Sequence, residues 1–257
     1  MAETLHLETL ISALLFIGLR VSGLMLFAPF LGNAGTPIPP RIALTVAITA
    51  LLYPVCEPAW PSNLEQNWLA IVGGEFFLGA LLGLAVQLVL EAAQMAGQII
   101  GIQAGYSLVT LFDPQTQADT TVMSTFSQLV ATLIFLRLDV HHWLLRGLAA
   151  SFNYVPPGTQ LSHGPAGTQL LHAAGGVWLA GLQIAAPILV ATMLVDITLG
   201  FLAKASPQMP VLFVGLPLKT VLSLLMLGGT LTLWPGFFEQ RFASGISLGE
   251  RCLHLVH

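Results

Sequence analysis

The sequence from Trp68 to Gly105 reads WLAIVGGEFFLGALLGLAVQLVLEAAQMAGQIIGIQAG, an almost unbroken run of apolar and small residues. Such runs form helices in membranes, because a helix satisfies its own backbone hydrogen bonds where no water is available. A straight helix of this length would measure roughly 55 Å, whereas the hydrocarbon of a bilayer is about 30 Å thick. We therefore expect the segment either to break near Gly73 and Gly74 or to project beyond the bilayer into a protein assembly.

The composition of the whole chain is that of an integral membrane protein. Of its 257 residues, 55% are hydrophobic and only 8% are charged, against roughly 25% charged residues in an ordinary soluble domain. The 12 acidic and 8 basic residues give a formal net charge of -4 and form no basic cluster, so nucleic-acid binding is not indicated. Cys56 and Cys252 lack the Cys-x-x-Cys spacing of zinc and thioredoxin-like sites. No cofactor and no metal site are predicted.

Further apolar segments lie on both sides of the long run, and together they predict an all-α membrane protein. About six apolar helices of uneven length are expected, at 9–31, 41–55, 68–105, 121–138, 175–203 and 211–234. A short amphipathic turn and helix is predicted at 139–152, and the tail at 235–257 has the pattern of a short amphipathic helix. No soluble stretch is large enough to fold alone, so residues 1–257 are expected to form one unit. The last two apolar helices, joined by a tight turn at 204–210, form a hairpin that is separable within it.

The loop that follows the long run is the clearest indication of function. Gly101 to Gln115 reads GIQAGYSLVTLFDPQ, and Asp113 must be extended or in a turn because Pro114 follows it. Backbone that leaves a helix inside a membrane must be buried in protein or line a water-filled cavity. Surface loops rarely keep several bulky apolar residues together, and such residues can close a channel sterically and by dewetting. An inward-facing gate is favoured over an ordinary surface loop, with a candidate plug made of Tyr106, Leu108, Val109, Leu111, Phe112, Asp113, Pro114 and Gln115.

Glycines recur at four-residue intervals along the long run. Gly97, Gly101 and Gly105 share one helical face, and Gly79 and Gly83 repeat the pattern. Glycines at this spacing let a neighbouring backbone approach closely. The neighbour is either another helix of this chain or a partner subunit, and the spacing does not decide between them.

Five charged residues fall within the apolar segments: Arg20, Glu75, Glu91, Asp196 and Lys219. Each costs roughly 2.5 to 3.5 kcal/mol at a helix centre unless it is paired or hydrated, so each should face protein or water. Asp196 and Lys219 are expected at comparable depths on the final hairpin, where a salt bridge or an ion relay is plausible. Glu75 and Glu91 lie about four and a half turns apart and cannot form a paired-carboxylate site within one helix. Arg20 is expected to pair with an acid elsewhere in the chain.

The residues give no positive support for an enzyme. No Ser-His-Asp order, His-Glu-x-x-His, Walker loop or Gly-x-Ser-x-Gly is present. A helix would point the adjacent residues His141 and His142 about 100° apart, which favours an interfacial role over joint metal binding.

Eight motifs in the same order resemble the FliR family of flagellar export-gate proteins, which is related to the SctT-type proteins of injectisomes. They cover nearly the whole chain: Arg20 in an apolar first helix, Ala28-Pro-Phe30, Pro40-Arg-Ile-Ala-Leu44, Gly74-Glu-Phe-Phe-Leu-Gly79, Gly101-Ile-Gln-Ala-Gly105, Phe112-Asp-Pro-Gln115, Ser206-Pro-Gln-Met209 and Val214-Gly-Leu-Pro-Leu-Lys219. The Gly-x-Gln-x-Gly and Asp-Pro-Gln motifs look like the flagellar branch. Relatives usually have Asn-Leu-Ala-Leu-Gly at 196–200, so the charge of Asp196 is not a family requirement.

The resemblance implies a subunit of the flagellar type III export gate in the bacterial inner membrane, at the basal body, and not an enzyme. Its implied partners are FliP-like and FliQ-like subunits, FlhB-like and FlhA-like export proteins, and unfolded flagellar substrates. It also implies a FliP-like part at 1–169, a FliQ-like hairpin and tail at 170–257, and a plug loop from Tyr106 to about Thr120.

A secondary transporter of ions or small solutes is the alternative. Asp196, Lys219 and the Gly- and Pro-interrupted helices motivate it. An inverted repeat would favour this alternative, and the sequence shows none.

Overall fold

A computed structural model describes residues 2–28, 37–54, 68–106, 122–156, 166–206, 208 and 211–256. Within these ranges the chain consists of helices joined by short turns and has no strand, as the sequence predicts. Its elements are α1 (Ala2–Phe27), α2 (Ile38–Leu52), α3 (Trp68–Gln103), α4 (Val122–Arg137), α5 (Val140–Tyr154), α6 (Ala166–Ala205), α7 (Val211–Thr230), a 3-10 turn (Leu231–Leu233) and α8 (Trp234–Val256).

The described residues contain four stretches that are long and apolar enough to cross a membrane. They are Leu10–Phe27, Trp68–Gln103, Gly175–Ala205 and Phe213–Ser247. A fifth forms if α4 and α5, which bend by 64° at their junction, count as one span, and Ile38–Leu52 is a shorter apolar helix. The chain is an all-α membrane protein.

The long helix α3 does not break near Gly73 and Gly74. It runs for 36 residues without interruption, so the alternative of a break is wrong. Each interior glycine costs roughly 1 kcal/mol relative to alanine, which the continuous apolar sequence on both sides can offset. α3 is therefore longer than one ordinary span requires.

The boundaries of other helices differ from the predicted ones. α2 begins at Ile38, with prolines in its first turn, where the missing N–H of proline has no intrahelical partner to lose. α6 begins at Ala166 and passes through Pro187, so it starts before the predicted helix at 175–203. α8 follows the 3-10 turn directly and has 23 residues, which makes the tail longer and more regular than expected.

The first compact unit comprises Met1–Leu88, Phe135–Ala174 and Arg241–His257. Its core contains Ile17, Val21 and Leu24 of α1, all at most 1% exposed. Phe135 of α4 packs edge-on against Phe242 of α8, with ring centroids 5.7 Å apart. Close packing of apolar side chains of this kind stabilises the unit through dispersion contacts.

The second compact unit comprises Val89–Ile134 and Gly175–Gln240. Small side chains dominate its core, including Ala93, Ala96, Ala131 and Ala185, each fully buried. Small residues let helix backbones approach closely, which is how membrane helices gain packing energy without a hydrophobic driving force.

Candidate functional site

The candidate site begins at the C-terminus of α3, where the chain leaves the helix. Gly105 has φ +88°, a left-handed conformation that glycine adopts without steric cost. Its N–H donates to the Ile102 carbonyl at 3.1 Å, and the Tyr106 N–H donates to the Gly101 carbonyl at 3.0 Å. These two hydrogen bonds define a Schellman motif. The helix α3 therefore ends in a defined geometry, with Gly105 as its left-handed cap residue.

Helix α7 holds this end of α3 in place. The Thr220 hydroxyl donates to the Ala104 carbonyl at 2.7 Å, one of the carbonyls that the end of a helix leaves without an intrahelical partner. Leu216 packs against Gly105, where an added Cβ would lie 3.0 Å from its Cδ2 atom. The direction in which the chain leaves α3 is thus fixed by contacts inside the second unit.

The candidate plug lies mostly outside the residues that the structure describes. Tyr106 is half-buried at the end of α3. The other predicted plug residues are outside the described ranges: Leu108, Val109, Leu111, Phe112, Asp113, Pro114 and Gln115. The gate therefore stays a prediction, and the structure defines only the end of α3 from which it would extend.

The α3 glycines contact helices of this same chain. An added Cβ at Gly79 would overlap the Arg20 carbonyl of α1, and one at Gly83 would lie 2.7 Å from the Leu24 carbonyl. Gly23 of α1 packs in the same way against the Phe76 carbonyl of α3. The two helices therefore approach through glycines on both sides, as the packing interpretation expects.

Further along α3 the glycines have other roles. An added Cβ at Gly97 would lie 2.6 Å from the Ser124 Cα atom of α4, so this glycine also packs within the chain. Gly101 is buried and accepts the capping hydrogen bond from Tyr106. Gly105 does not extend the helical face of Gly97 and Gly101, contrary to the spacing argument, because α3 ends at Gln103 and Gly105 is its cap.

Arg20 and Glu75 form a buried ion pair in the first unit. The Arg20 Nε atom donates to Glu75 Oε2 at 2.7 Å, and the two side chains are 0% and 2% exposed. Nη1 donates to the Ser151 hydroxyl and Nη2 to the Val155 carbonyl, both at 3.0 Å. The guanidinium also lies 4.2 Å from the centre of the Phe152 ring. A charge this deeply buried is tolerated when it is paired and hydrogen-bonded, and this site joins α1, α3 and α5.

Asp196 and Lys219 form an ion pair between α6 and α7, as the hairpin geometry predicts. Asp196 remains 48% exposed and Lys219 18% exposed in the isolated chain. Glu91 is half-buried on α3. Four of the five intramembrane charges therefore neutralise one another in pairs within this chain.

The sequence matches a known family over almost its whole length. The family model described as bacterial export proteins, family 1, matches residues 11–245. The chain belongs to the FliR family of bacterial export proteins. It is 30% identical to the flagellar biosynthetic protein FliR of Pectobacterium carotovorum over 235 residues, which cover 89% of this chain and 88% of that protein. It is 28% identical to FliR of Bacillus subtilis, covering 85% of each chain, and 28% identical to FliR of Escherichia coli, covering 90% and 88%.

Membership of the FliR family gives the chain a role in flagellar protein export. The structure adds residues that the sequence analysis did not single out. Thr220 and Gly23 make contacts that the sequence does not reveal, since only packing shows which backbone they meet. Thr220 lies next to Lys219, which the sequence marks by its charge and as the last residue of a motif.

The expectation that His141 and His142 point apart is wrong in this FliR-family chain. Their ring centroids are 4.2 Å apart, and both rings lie near the carboxylate of Asp139. The expected separation of about 100° per residue assumes a regular helix on both sides. Both residues lie in the first turn of α5, two and three residues after Asp139, which has φ +53°, and both side chains turn toward its carboxylate.

Proposed function

We propose that this chain is an export-gate subunit of the flagellar type III secretion system. In this role it helps to form, and itself plugs, the channel through which unfolded flagellar proteins cross the inner membrane at the basal body. The observation that carries the proposal is the capped end of α3. The sequence that follows this long membrane helix is apolar, and the helix ends at a glycine stop that α7 holds through Thr220 and Leu216.

A plug needs a rigid base and an obstruction that can move. The Schellman motif at Gly101 to Tyr106 supplies the base, because its hydrogen bonds fix the last turn of the helix. The residues after it, from Tyr106 to about Thr120, carry Leu108, Val109, Leu111 and Phe112. Bulky apolar side chains inside a pore exclude water as well as blocking it sterically. Asp113 and Pro114 would turn the chain away from the obstruction.

The surface of the chain fits a role inside an assembly. The membrane-span windows of α6 and of α7 with α8 are each only 22% buried within the chain, and large side chains such as Phe201 and Phe213 are over 70% exposed. Lipid or neighbouring subunits must cover these faces. We propose FliP-like and FliQ-like subunits as those neighbours, with FlhB-like and FlhA-like proteins completing the apparatus. The division into a FliP-like part at 1–169 and a FliQ-like part at 170–257 belongs to the same proposal.

The buried charges support a scaffold more than a catalyst or a solute carrier. Arg20 and Glu75 are buried among contacts that join three helices. Both charged groups therefore have a structural role. Asp196 and Lys219 are paired with each other, so the motivation for a proton or ion relay is weaker than the sequence alone implies. We therefore propose a component of a protein-conducting gate, and not an enzyme or a small-solute transporter.

The plug is tested by replacing its apolar side chains without shortening the loop. Changing Leu108, Val109, Leu111 and Phe112 together to serine should raise the ion leak through the assembled complex several-fold, because the obstruction becomes small and wettable. The measurement is conductance of the reconstituted complex in a planar bilayer.

A matched control changes polar residues of the same loop. Thr116 and Gln117, which follow the last of the eight candidate plug residues, are replaced together by serine, and the leak should stay at its wild-type value because the apolar obstruction is intact. An unchanged leak in the apolar variant, with the complex still assembled, refutes the plug role.

A further inference from the structure

The junction between α4 and α5 contains a residue with a left-handed backbone conformation. Asp139 has φ +53° and ψ +30°, a left-handed conformation that is uncommon for residues other than glycine. It occupies the N-cap position of α5, where an aspartate usually accepts a hydrogen bond from the first backbone N–H groups of the helix. Its side chain makes no such capping bond in the described part of the chain. The carboxylate is directed elsewhere.

The Asp139 carboxylate lies beside two imidazoles. Its Oδ1 atom is 3.6 Å from His142 Nδ1 and 3.8 Å from His141 Nε2, and the candidate ligand atoms of the three residues all lie within 4.8 Å of one another. At 3.6 to 3.8 Å these contacts are too long for hydrogen bonds. They are close to the spacing of about 3.4 Å between two ligand atoms that each lie about 2.0–2.1 Å from one tetrahedral zinc ion.

We propose that Asp139, His141 and His142 bind a divalent transition-metal ion of the zinc type. Two imidazoles and one carboxylate suit borderline ions such as Zn²⁺, whereas Mg²⁺ and Ca²⁺ prefer sites made of oxygen atoms alone. Three protein ligands leave at least one coordination position for water. The Asp139 carboxylate, which does not cap α5 and lies beside both imidazoles, is then used as a ligand.

The three side chains are accessible to an ion, and burial of one nitrogen atom indicates which atom of His141 binds it. The side chains of Asp139, His141 and His142 are 67%, 42% and 60% exposed, so an ion can reach them from solvent. The Nδ1 atom of His141 is buried and has no hydrogen-bond partner among the described residues. Its Nε2 atom, which faces Asp139, is therefore the ligand. A bound ion would connect Asp139 of the junction to the first turn of α5.

Zinc binding to purified chain without an affinity tag tests this site. Isothermal titration with ZnCl₂ should show saturable binding at the cluster, and His142→Ala or Asp139→Asn should each weaken it by at least about tenfold, since even partners behind the ligands contribute 10-fold to 100-fold. His254→Ala removes a histidine remote in sequence from the cluster and should leave this binding unchanged. Equal affinity in wild type, His142→Ala and Asp139→Asn overturns the proposal.

A second measurement on the unmutated chain does not depend on how the variants fold. Co²⁺ should give visible absorption bands when nitrogen and oxygen ligands hold it in a low-symmetry site, and adding Zn²⁺ should remove them. Zinc should also raise the melting temperature in a concentration-dependent way, because it binds the folded state. Absence of both the bands and the thermal shift contradicts the metal site.

Discussion

Glu75→Ala is expected to prevent the chain from accumulating in membranes. The substitution leaves Arg20 fully buried without its carboxylate, and breaking a buried pair by removing one partner costs about 3–5 kcal/mol. A typical domain has only about 5–15 kcal/mol of stability, so the loss should be visible without any functional assay. Immunoblotting of membrane fractions and thermal melting in detergent would both measure it.

Two further variants show whether the charge itself is responsible. Ser151→Ala removes one hydrogen-bond acceptor of Arg20 and keeps the ion pair, so its effect should be clearly smaller, about 1.5–3 kcal/mol. Arg20→Met combined with Glu75→Leu removes both charges, and apolar replacement of a buried pair is often nearly neutral. The double variant should therefore be more stable than Glu75→Ala. If it is equally unstable, the pair is not the cause.

Gly79→Val should separate α1 from α3 and destabilise the first unit severely. Even the first carbon of a side chain at this position would overlap the Arg20 carbonyl, and a backbone atom cannot rotate away as a side chain can. Added atoms in a packed interior typically cost 1–3 kcal/mol, and more when the backbone must move. We expect the larger cost here, because the shift also displaces the residue that forms the buried ion pair. Thermal melting of the purified protein is the measurement.

Gly73→Ala is the matched control on the same helix. An added Cβ at Gly73 meets no atom of the described chain within 4 Å, and alanine is favoured over glycine in a helix interior by roughly 0.8–1.0 kcal/mol. This variant should be as stable as the wild type or slightly more stable. If Gly79→Val melts at the same temperature as Gly73→Ala, the close approach of α1 and α3 is not needed for stability.

The sequence predicts the helices well because apolar runs of this length have few alternatives in a membrane. It could not decide whether α3 breaks at Gly73 and Gly74, because the cost of two glycines is small against a run of 36 residues. The sequence also left open which acid pairs with Arg20, since Glu75 and Glu91 are both candidates on the same helix. Packing resolves it, because Gly79, one turn after Glu75, brings the α3 backbone against Arg20 itself.

Some parts of the candidate site could be predicted from the sequence and others could not. A salt bridge between Asp196 and Lys219 could be named in advance as one of two alternatives, because a tight hairpin places residues at similar distances from its turn side by side. The histidine cluster could not, because it depends on the left-handed conformation of Asp139. The cap at Gly105 was seen only as part of a spacing pattern. The plug itself falls on residues that the structure does not describe, so it stays a prediction.

The most direct test of the central claim is purification of the chain from native membranes in mild detergent, followed by identification of everything that remains bound. An export-gate subunit should come out in a stable complex with FliP-like and FliQ-like chains, and Gly79→Val should lose that complex while Gly73→Ala keeps it. Recovery of the chain alone from membranes that contain those subunits, with transport of a small solute by the chain alone, would contradict the account.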